Sequence, residues 1–164
     1  MVETPRMDIT KLASEAYKHL LQLEQAVAGK LDRKLYHLIK LRASQINGCA
    51  FCIGMHSDEA IRDGDTAERL LLLDAWRESS AFSEKEQAAL AWVEELTLIA
   101  DSHASKEAFD GLKRFFSEEE IANLTLAAAL INTWNRIAIS SRAQYDRSYF
   151  EQIAAARQKV AEPA

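Results

Sequence analysis

The sequence has few residues that break helices. Only five glycines and two prolines occur among its 164 residues, and no stretch shows the alternating pattern of a half-buried strand. No apolar run approaches the roughly 20 residues that span a membrane, and the first residues lack the apolar core of a signal peptide. The sequence therefore predicts an all-α protein, a single-domain helical bundle over residues 1–164, in the cytoplasm.

Basic clusters and cofactor motifs are also missing. The formal net charge is −5, and lysine and arginine form no patch, so we expect neither nucleic acid nor anionic membranes as partners. No glycine-rich phosphate loop and no flavin or nicotinamide fingerprint is present. We therefore expect that the protein works without a bound cofactor.

Cysteine is scarce, and both copies lie in one motif. Cys49 and Cys52 are three residues apart, and His56 follows four residues after the second. Asn47-Gly48, just before them, predicts the end of one helix and the start of another near Cys49. At about 100° per residue, both cysteines and His56 then share one helical face.

This arrangement suits thiol chemistry. The free N–H groups of a first helical turn favour a thiolate, and an imidazole one turn further on can accept the thiol proton. The second cysteine can then close a disulfide. Two alternatives stay open: a pair of buried apolar side chains, or a zinc site made by Cys49, Cys52, His56 and His37. The interpretation adopted is a redox pair without a metal.

Apolar residues at helical spacing and capping signals predict the helices. Asp32 and Ser105 are expected N-caps, and Asp65, Ser83 and Ser117 each precede a glutamate by three residues, as in a capping box. The segment after Ser117 is so apolar that protein should surround most of it. The predicted helices cover approximately residues 8–28, 32–46, 49–64, 65–76, 83–96, 105–116, 117–139 and 145–160.

The run from Leu41 to Cys52, with Met55-His56, resembles the alkyl hydroperoxidase D and carboxymuconolactone decarboxylase superfamily. Residues 75–78, 88–94 and 131–137 extend the match, so the resemblance covers about residues 30–142. It implies an all-helical subunit in a homo-oligomer, as a trimer or hexamer with active sites near subunit contacts, although the sequence also leaves a dimer open.

The resemblance also implies a peroxidase that reduces hydroperoxides in antioxidant defence. In the family, the cysteine matching Cys52 attacks the peroxide, the one matching Cys49 resolves the sulfenic acid to a disulfide, and the histidine matching His56 belongs to a proton relay. An external thiol or dithiol would reduce the disulfide. The helix-end argument instead favours Cys49 as the thiol of lower pKa. The alternative functions are a lactone decarboxylase-type lyase and a non-catalytic thiol redox sensor.

One position departs from the family pattern. The family usually has a glutamate twelve residues before the first cysteine, where this chain has His37. The carboxylate that orients or deprotonates the relay histidine is then either missing or supplied from elsewhere in the chain, with Glu94, Glu95 and Asp58 as candidates. His37 is itself a candidate for moving protons, because the unperturbed pKa of histidine lies near neutrality.

Other polar residues are given structural roles. Arg42 and Arg136 lie within apolar helical patterns, where a bare charge would be costly. Each is therefore expected to make a buried pair with a glutamate at or near an interface, rather than to bind substrate. His19 and His103 have no supporting pattern and are expected to face solvent.

Overall fold

The computed structural model describes residues 4–146 and 148, and every regular element in them is helical, as predicted. This part of the chain holds nine α-helices, and a 3-10 helix, Leu72–Glu78, follows the fifth. The α-helices are α1 Ile9–Leu12, α2 Ser14–Ala28, α3 Arg33–Asn47, α4 Ala50–Arg62, α5 Ala67–Leu71, α6 Glu84–Thr97, α7 Ile99–Ser102, α8 Lys106–Leu112 and α9 Glu118–Ser141. The helix predicted over residues 145–160 falls almost entirely outside the described residues.

Side-chain caps begin most of the longer helices. Asp32 and Ser105 cap α3 and α8, and Ser83 and Ser117 form reciprocal capping boxes with their glutamates, as predicted. The box predicted at Asp65 is wrong. Thr66 caps α5 instead, and Asp65 accepts the N–H of Thr66 and pairs with Arg69. Because Thr66 also has a capping hydroxyl, the start moves by one residue.

The first predicted helix is interrupted. Ala13 has φ −129° and ψ 44°, and it separates the single turn of α1 from α2. No residue of α1 is buried, and Leu12 is 77% exposed. Packing therefore does little to hold α1 in line with α2, and a short helix without packing is marginal.

Helix α3 is the centre of the fold. It packs against α4, α6 and α9, and Leu38, Ile39 and Ala43 are completely buried. Burying one leucine or isoleucine stabilises a fold by about 1.5–3 kcal/mol. The buried side chains of α3 therefore hold α4, α6 and α9 in place. Cys49 and Cys52 belong to the apolar core that α3 forms with α6 and α9.

Helix α9 is buried along one side only. Leu124, Ala127 and Ile131 are inaccessible, whereas Leu126 is 44% exposed. An exposed side that carries an apolar residue is what a helix at a subunit contact would present. The homo-oligomer itself stays a prediction. Within the described residues, no helix has both the length and the apolar character needed to cross a membrane.

Candidate active site

The turn between α3 and α4 sets the position of the cysteines. Gly48 ends α3 in the left-handed conformation, with φ +69°, where glycine costs less than any other residue. Its N–H donates to the Gln45 carbonyl at 3.1 Å, and the Cys49 N–H donates to the Ser44 carbonyl at 3.0 Å. These two bonds close α3 and direct the chain into α4.

The Asn47 side chain holds this turn against α9. Its amide donates to the side-chain oxygens of Asn132, at 2.9 Å, and Asn135, at 2.8 Å. Asn135 in turn donates to the Ser44 hydroxyl at 3.0 Å. Such a satisfied network of buried amides fixes the register of α3 on α9. Asn47 was predicted only to mark the end of a helix, and its contact with α9 was not predicted from the sequence.

Cys49 and Cys52 form a disulfide, with their Cα atoms 5.4 Å apart. Cys49 is the N-cap of α4, and its sulfur accepts the backbone N–H of Cys52 at 3.4 Å. Both residues are buried, at 1% and 2% exposure. The Cys49 sulfur therefore lies where free N–H groups favour a negative charge, as the helix-end argument predicts.

His56 is on α4, four residues after Cys52, and is 2% exposed. Its Nδ1 lies 2.9 Å from Glu59 Oε2, three residues further on. When Nδ1–H donates to this carboxylate, Nε2 carries the lone pair. Among the described residues, Nε2 has no hydrogen-bond partner. The site thus contains a buried imidazole nitrogen that is free to accept a proton.

Burial lowers the pKa of His56, and the nearby charge of Lys40 acts in the same direction, against the raising effect of Glu59. His56 is therefore neutral at neutral pH, the form that accepts a proton. Burial alone would raise the pKa of Glu59, but the hydrogen bond from His56 holds it below its usual value. The pair thus combines a neutral base with a carboxylate that orients it.

His37 lies on α3, across from Glu59. Its Nε2 is hydrogen-bonded to Asp63, which also pairs with Arg33. Its Nδ1 lies 3.8 Å from Glu59 Oε2 and, within the described residues, has no hydrogen-bond partner. We call His37, His56, Glu59 and Asp63 the relay cluster.

Glu59 is a site residue that the sequence did not predict. The carboxylate usual in the family at the His37 position is absent, and Glu59 on α4 stands beside both histidines instead. One signal was available, because Glu59 and His56 are three residues apart and such residues are neighbours on a helix. The partnership of His37 with Asp63, 26 residues away, has no comparable local signal.

The three carboxylates named from the sequence lie elsewhere. Glu94 accepts bonds from Trp76, Arg42 and Arg77. Glu95 binds Ser105, and Asp58 accepts from Tyr145. Glu94, Glu95 and Asp58 are therefore engaged in holding the fold, and the carboxylate that His56 contacts is Glu59.

The two arginines differ. Arg42 pairs with Glu94 at 2.6 Å, as predicted, and also contacts Asp74. Arg136 donates to the carbonyl and side-chain oxygens of Asn132, at 2.8 and 3.0 Å. No glutamate pairs with Arg136 in the described part of this chain, and the expected pairing at or near an interface stays a prediction. The exposed positions predicted for His19 and His103 are confirmed.

A second buried polar cluster lies beside the first. Lys40 is 4% exposed and pairs with Glu24 of α2. Glu24 also accepts the Tyr36 hydroxyl, and its second oxygen accepts Trp134 Nε1 at 2.9 Å. We call Glu24, Tyr36, Lys40 and Trp134 the anchor cluster. It joins α2, α3 and α9, and the charge of Lys40 reaches His56 and Glu59.

The arrangement has two chemical capacities. A disulfide pair at a helix start with a neutral histidine one turn away can exchange electrons and a proton. His37, His56 and Glu59 also offer ligand atoms within 4.8 Å of one another, which could hold a metal ion. The zinc set suggested by the sequence is not formed here, since the two cysteines are bonded to each other.

Two known proteins are similar to this chain over most of its length. The uncharacterised protein YdfG of Bacillus subtilis (strain 168) is 37% identical over 136 residues, which cover 82% of this chain and 92% of YdfG. A protein of unknown function from Agrobacterium tumefaciens, described as a candidate antioxidant defence protein AhpD, has a structure with a TM-score of 0.84 at 44% identity. That match covers 87% of this chain and 99% of the other.

The fold also occurs in a more distant protein. The debrominase Bmp8, in its apo form, matches with a TM-score of 0.72 at 23% identity, over 85% of this chain and 75% of Bmp8. This likeness shows the fold alone. Residues 14–95 match the family model described as the carboxymuconolactone decarboxylase family. The chain therefore belongs to the carboxymuconolactone decarboxylase family, within the alkyl hydroperoxidase D-like superfamily that its cysteine motif resembles.

Proposed function

We propose that the protein is a thiol-dependent hydroperoxide reductase that uses Cys49 and Cys52 as its redox pair. One observation carries the proposal: a disulfide at the first turn of α4 lies one helical turn from a buried histidine whose Nε2 has no partner among the described residues. A thiol peroxidase needs these three parts, namely a nucleophilic sulfur, a resolving sulfur and a proton acceptor.

The reaction begins with the reduced pair. His56 Nε2 takes the proton of the Cys52 thiol, and the thiolate attacks the terminal oxygen of the hydroperoxide. The O–O bond breaks, Cys52 becomes a sulfenic acid, and the leaving alkoxide takes a proton from His56 to become an alcohol. Cys49 then loses its thiol proton, and its thiolate displaces hydroxide from Cys52. The hydroxide takes up that proton and leaves as water, and the disulfide forms. An external dithiol returns both cysteines to thiols.

Each assigned residue has a support. Cys52 is the nucleophile because it shares a face of α4 with His56, as in the family pattern. Cys49 resolves because its sulfur sits at the helix start, where a hydrogen bond from the Cys52 N–H favours its thiolate. Glu59 holds the His56 ring with Nε2 unprotonated. His37 extends the relay towards Asp63.

The proposal is tested by counting free thiols and measuring intact mass on reduced protein before and after one equivalent of tert-butyl hydroperoxide. We expect loss of both thiols and of two hydrogens per chain. Cys52→Ser should abolish turnover with a dithiol reductant, whereas Cys49→Ser should leave Cys52 as a sulfenic acid that dimedone traps. Unchanged turnover in Cys52→Ser would refute the assignment of the nucleophile.

Further measurements on the same protein separate this proposal from the alternative functions. A decarboxylase-type lyase would keep its activity on a ring lactone after both thiols are alkylated. A redox sensor would form the disulfide and change its oligomeric state, but it would consume no peroxide beyond one equivalent when a dithiol is present.

A further inference from the structure

We propose that His37, His56 and Glu59 form a binding site for one divalent transition-metal ion, of which Zn²⁺ and Co²⁺ are examples. The inference goes beyond the peroxidase proposal and does not rest on it. It depends on the relay cluster alone and applies to the protein with its disulfide intact.

The first argument is the arrangement of the donor atoms. His37 and His56 come from two neighbouring helices, and the ligand atoms of the three residues lie within 4.8 Å of one another. Glu59 Oε2 is 2.9 Å from His56 Nδ1 and 3.8 Å from His37 Nδ1. Ligand atoms at about 2.0–2.1 Å from a tetrahedral zinc ion are about 3.4 Å apart. These two separations lie on either side of this value, and the two histidine nitrogens, within 4.8 Å of each other, would close to about the same distance around an ion. The ion would replace the Nδ1 proton of His56, and the ring would then carry its proton on Nε2.

The second observation is an unsatisfied ring nitrogen. Within the described residues, His37 Nδ1 is buried and has no hydrogen-bond partner, although it lies 3.8 Å from Glu59 Oε2. The other ring nitrogen of His37 is hydrogen-bonded to Asp63. Buried polar atoms are normally satisfied, and a cation between Nδ1 and Glu59 Oε2 would satisfy both atoms.

The third argument is the outer contact of His37. Histidines that bind metals usually donate their second ring N–H to a carboxylate or carbonyl, which fixes the tautomer and makes the ligand nitrogen more basic. Asp63 makes this contact, and Arg33 holds Asp63 in turn. Asp63 would therefore orient a ligand without touching the ion.

Charge and access are compatible with a cation. Three carboxylates, Glu59, Asp63 and Glu24, face two cations, Arg33 and Lys40, so these five side chains carry a net charge of −1. The Glu59 side chain is 38% exposed, whereas His56 is 2% exposed. An ion can reach the buried nitrogens along the Glu59 side.

The donor set selects the class of ion. Imidazole nitrogens suit zinc, cobalt, nickel and iron, whereas Mg²⁺ and Ca²⁺ prefer sites made of oxygen atoms. Three protein ligands leave a fourth position for water, as in catalytic rather than structural zinc sites. A bound ion would also compete with the Cys52 proton for His56.

The test is calorimetric titration of Zn²⁺ into oxidised, metal-free protein at neutral pH, with any polyhistidine tag removed. We expect one ion per chain and no heat with Mg²⁺. Glu59→Gln and His37→Asn should each weaken binding at least about tenfold, and Asp63→Asn by about tenfold through orientation of His37. His103→Asn is the matched control, because His103 is exposed, and it should bind as the wild type does.

A second measurement distinguishes a variant that has lost the zinc site from one that has failed to fold. Zn²⁺ should raise the melting temperature of the wild type but not that of Glu59→Gln, whose side chain is partly exposed and tolerates the change. Bound Co²⁺ should show visible bands of low coordination number. The proposal fails if Zn²⁺ does not bind, if Glu59→Gln binds it equally, or if His103→Asn loses it. Binding that requires reduction of the disulfide would place the ion on the cysteines and also refute the proposal.

Discussion

The anchor cluster and the relay cluster share helix α3, yet their hydrogen bonding is different. In the anchor cluster, both oxygens of Glu24 accept bonds, and no buried side-chain nitrogen or oxygen among its described residues lacks a partner. In the relay cluster, His37 Nδ1 and His56 Nε2 are both buried and without a hydrogen bond. A network in which every buried polar atom has a partner holds the fold rigid. A network with unpaired atoms can still bind a proton or a ligand.

This contrast assigns different tasks to neighbouring residues of one helix. Lys40 and His37 are three positions apart on α3 and both are buried. Lys40 joins α2 to α3 and α9 through Glu24, so it holds the scaffold. His37 faces Glu59 of α4, the carboxylate that His56 contacts. Stability should therefore depend on the anchor cluster, and chemistry on the relay cluster.

The largest effect should come from breaking the anchor cluster. Lys40→Met leaves the Glu24 carboxylate buried without its cation, and the free energy of unfolding should fall by about 3–5 kcal/mol. Urea denaturation of the oxidised protein at fixed concentration measures the change. The double variant Glu24→Gln/Lys40→Met should recover much of the loss, because no unpaired charge remains. A Lys40→Met protein as stable as the wild type would contradict the role given to this cluster.

The sequence predicts much of the scaffold because its signals are local. Ser83 and Ser117 cap their helices through glutamates three residues away, and Gly48 ends α3 at the residue where it occurs. Each of these contacts is formed within one turn, so spacing alone determines it. The motif Cys49-x-x-Cys52 with His56 is equally local, and the structure has all three on the first turns of α4.

The relay cluster was only half predictable, because it depends on packing. Where α4 lies on α3 decides whether His37 meets Glu59, and no spacing in the sequence encodes that contact. The contact of Asp63 depends on packing in the same way, since Asp63 reaches His37 from the C-terminal end of α4. Glu94 was a reasonable candidate by burial, but Arg42 and Trp76 already occupy it.

A smaller effect is expected from the relay cluster, and on rate rather than stability. His56→Asn should slow peroxide-driven disulfide formation about hundredfold, because the base for the Cys52 thiol is lost. This corresponds to about 2.7 kcal/mol in the activation barrier. Stopped-flow tryptophan fluorescence or quenched thiol counting on reduced protein gives the rate. Trp134→Phe, which removes a bond from the anchor cluster, should leave the rate near that of the wild type.

Glu59 and Asp58 provide a matched pair for the same assay. They are adjacent on α4, but Glu59 contacts His56 whereas Asp58 accepts a bond from Tyr145. Glu59→Gln should slow disulfide formation by about tenfold, because the charge that orients and supports His56 is lost. Asp58→Asn should change it by less than about twofold. Equal effects from the two substitutions would show that nearby charge, and not the contact with His56, sets the rate.

The smallest expected effect is a difference between the two clusters in how their contributions to stability depend on pH. The pKa of His56 is lowered by burial from its ordinary 6.5, so the unfolded chain takes up a proton first as the pH falls through this value. Stability is then lost below about pH 6.5, by at most about 1.4 kcal/mol per pH unit for one proton. Burial would raise the pKa of Glu24, but Lys40 and the hydrogen bonds hold it below its ordinary 4.5. The contribution of Glu24 is therefore retained until the pH falls below about 4.5.

Two windows of acid destabilisation should follow, one for each cluster. Urea denaturation of the oxidised protein, in a chelator and from pH 7.5 downwards, should show a first decline below about pH 6.5 that is absent from His56→Asn. Glu24→Gln should keep this first decline and lose part of the second, since Glu59 also contributes there with its lowered pKa. Because each variant is compared with its own stability at pH 7.5, a uniform loss of stability does not affect the result. A first decline that persists in His56→Asn would mean that another group titrates in this range, and the neutral, buried imidazole would then not be what distinguishes the relay cluster.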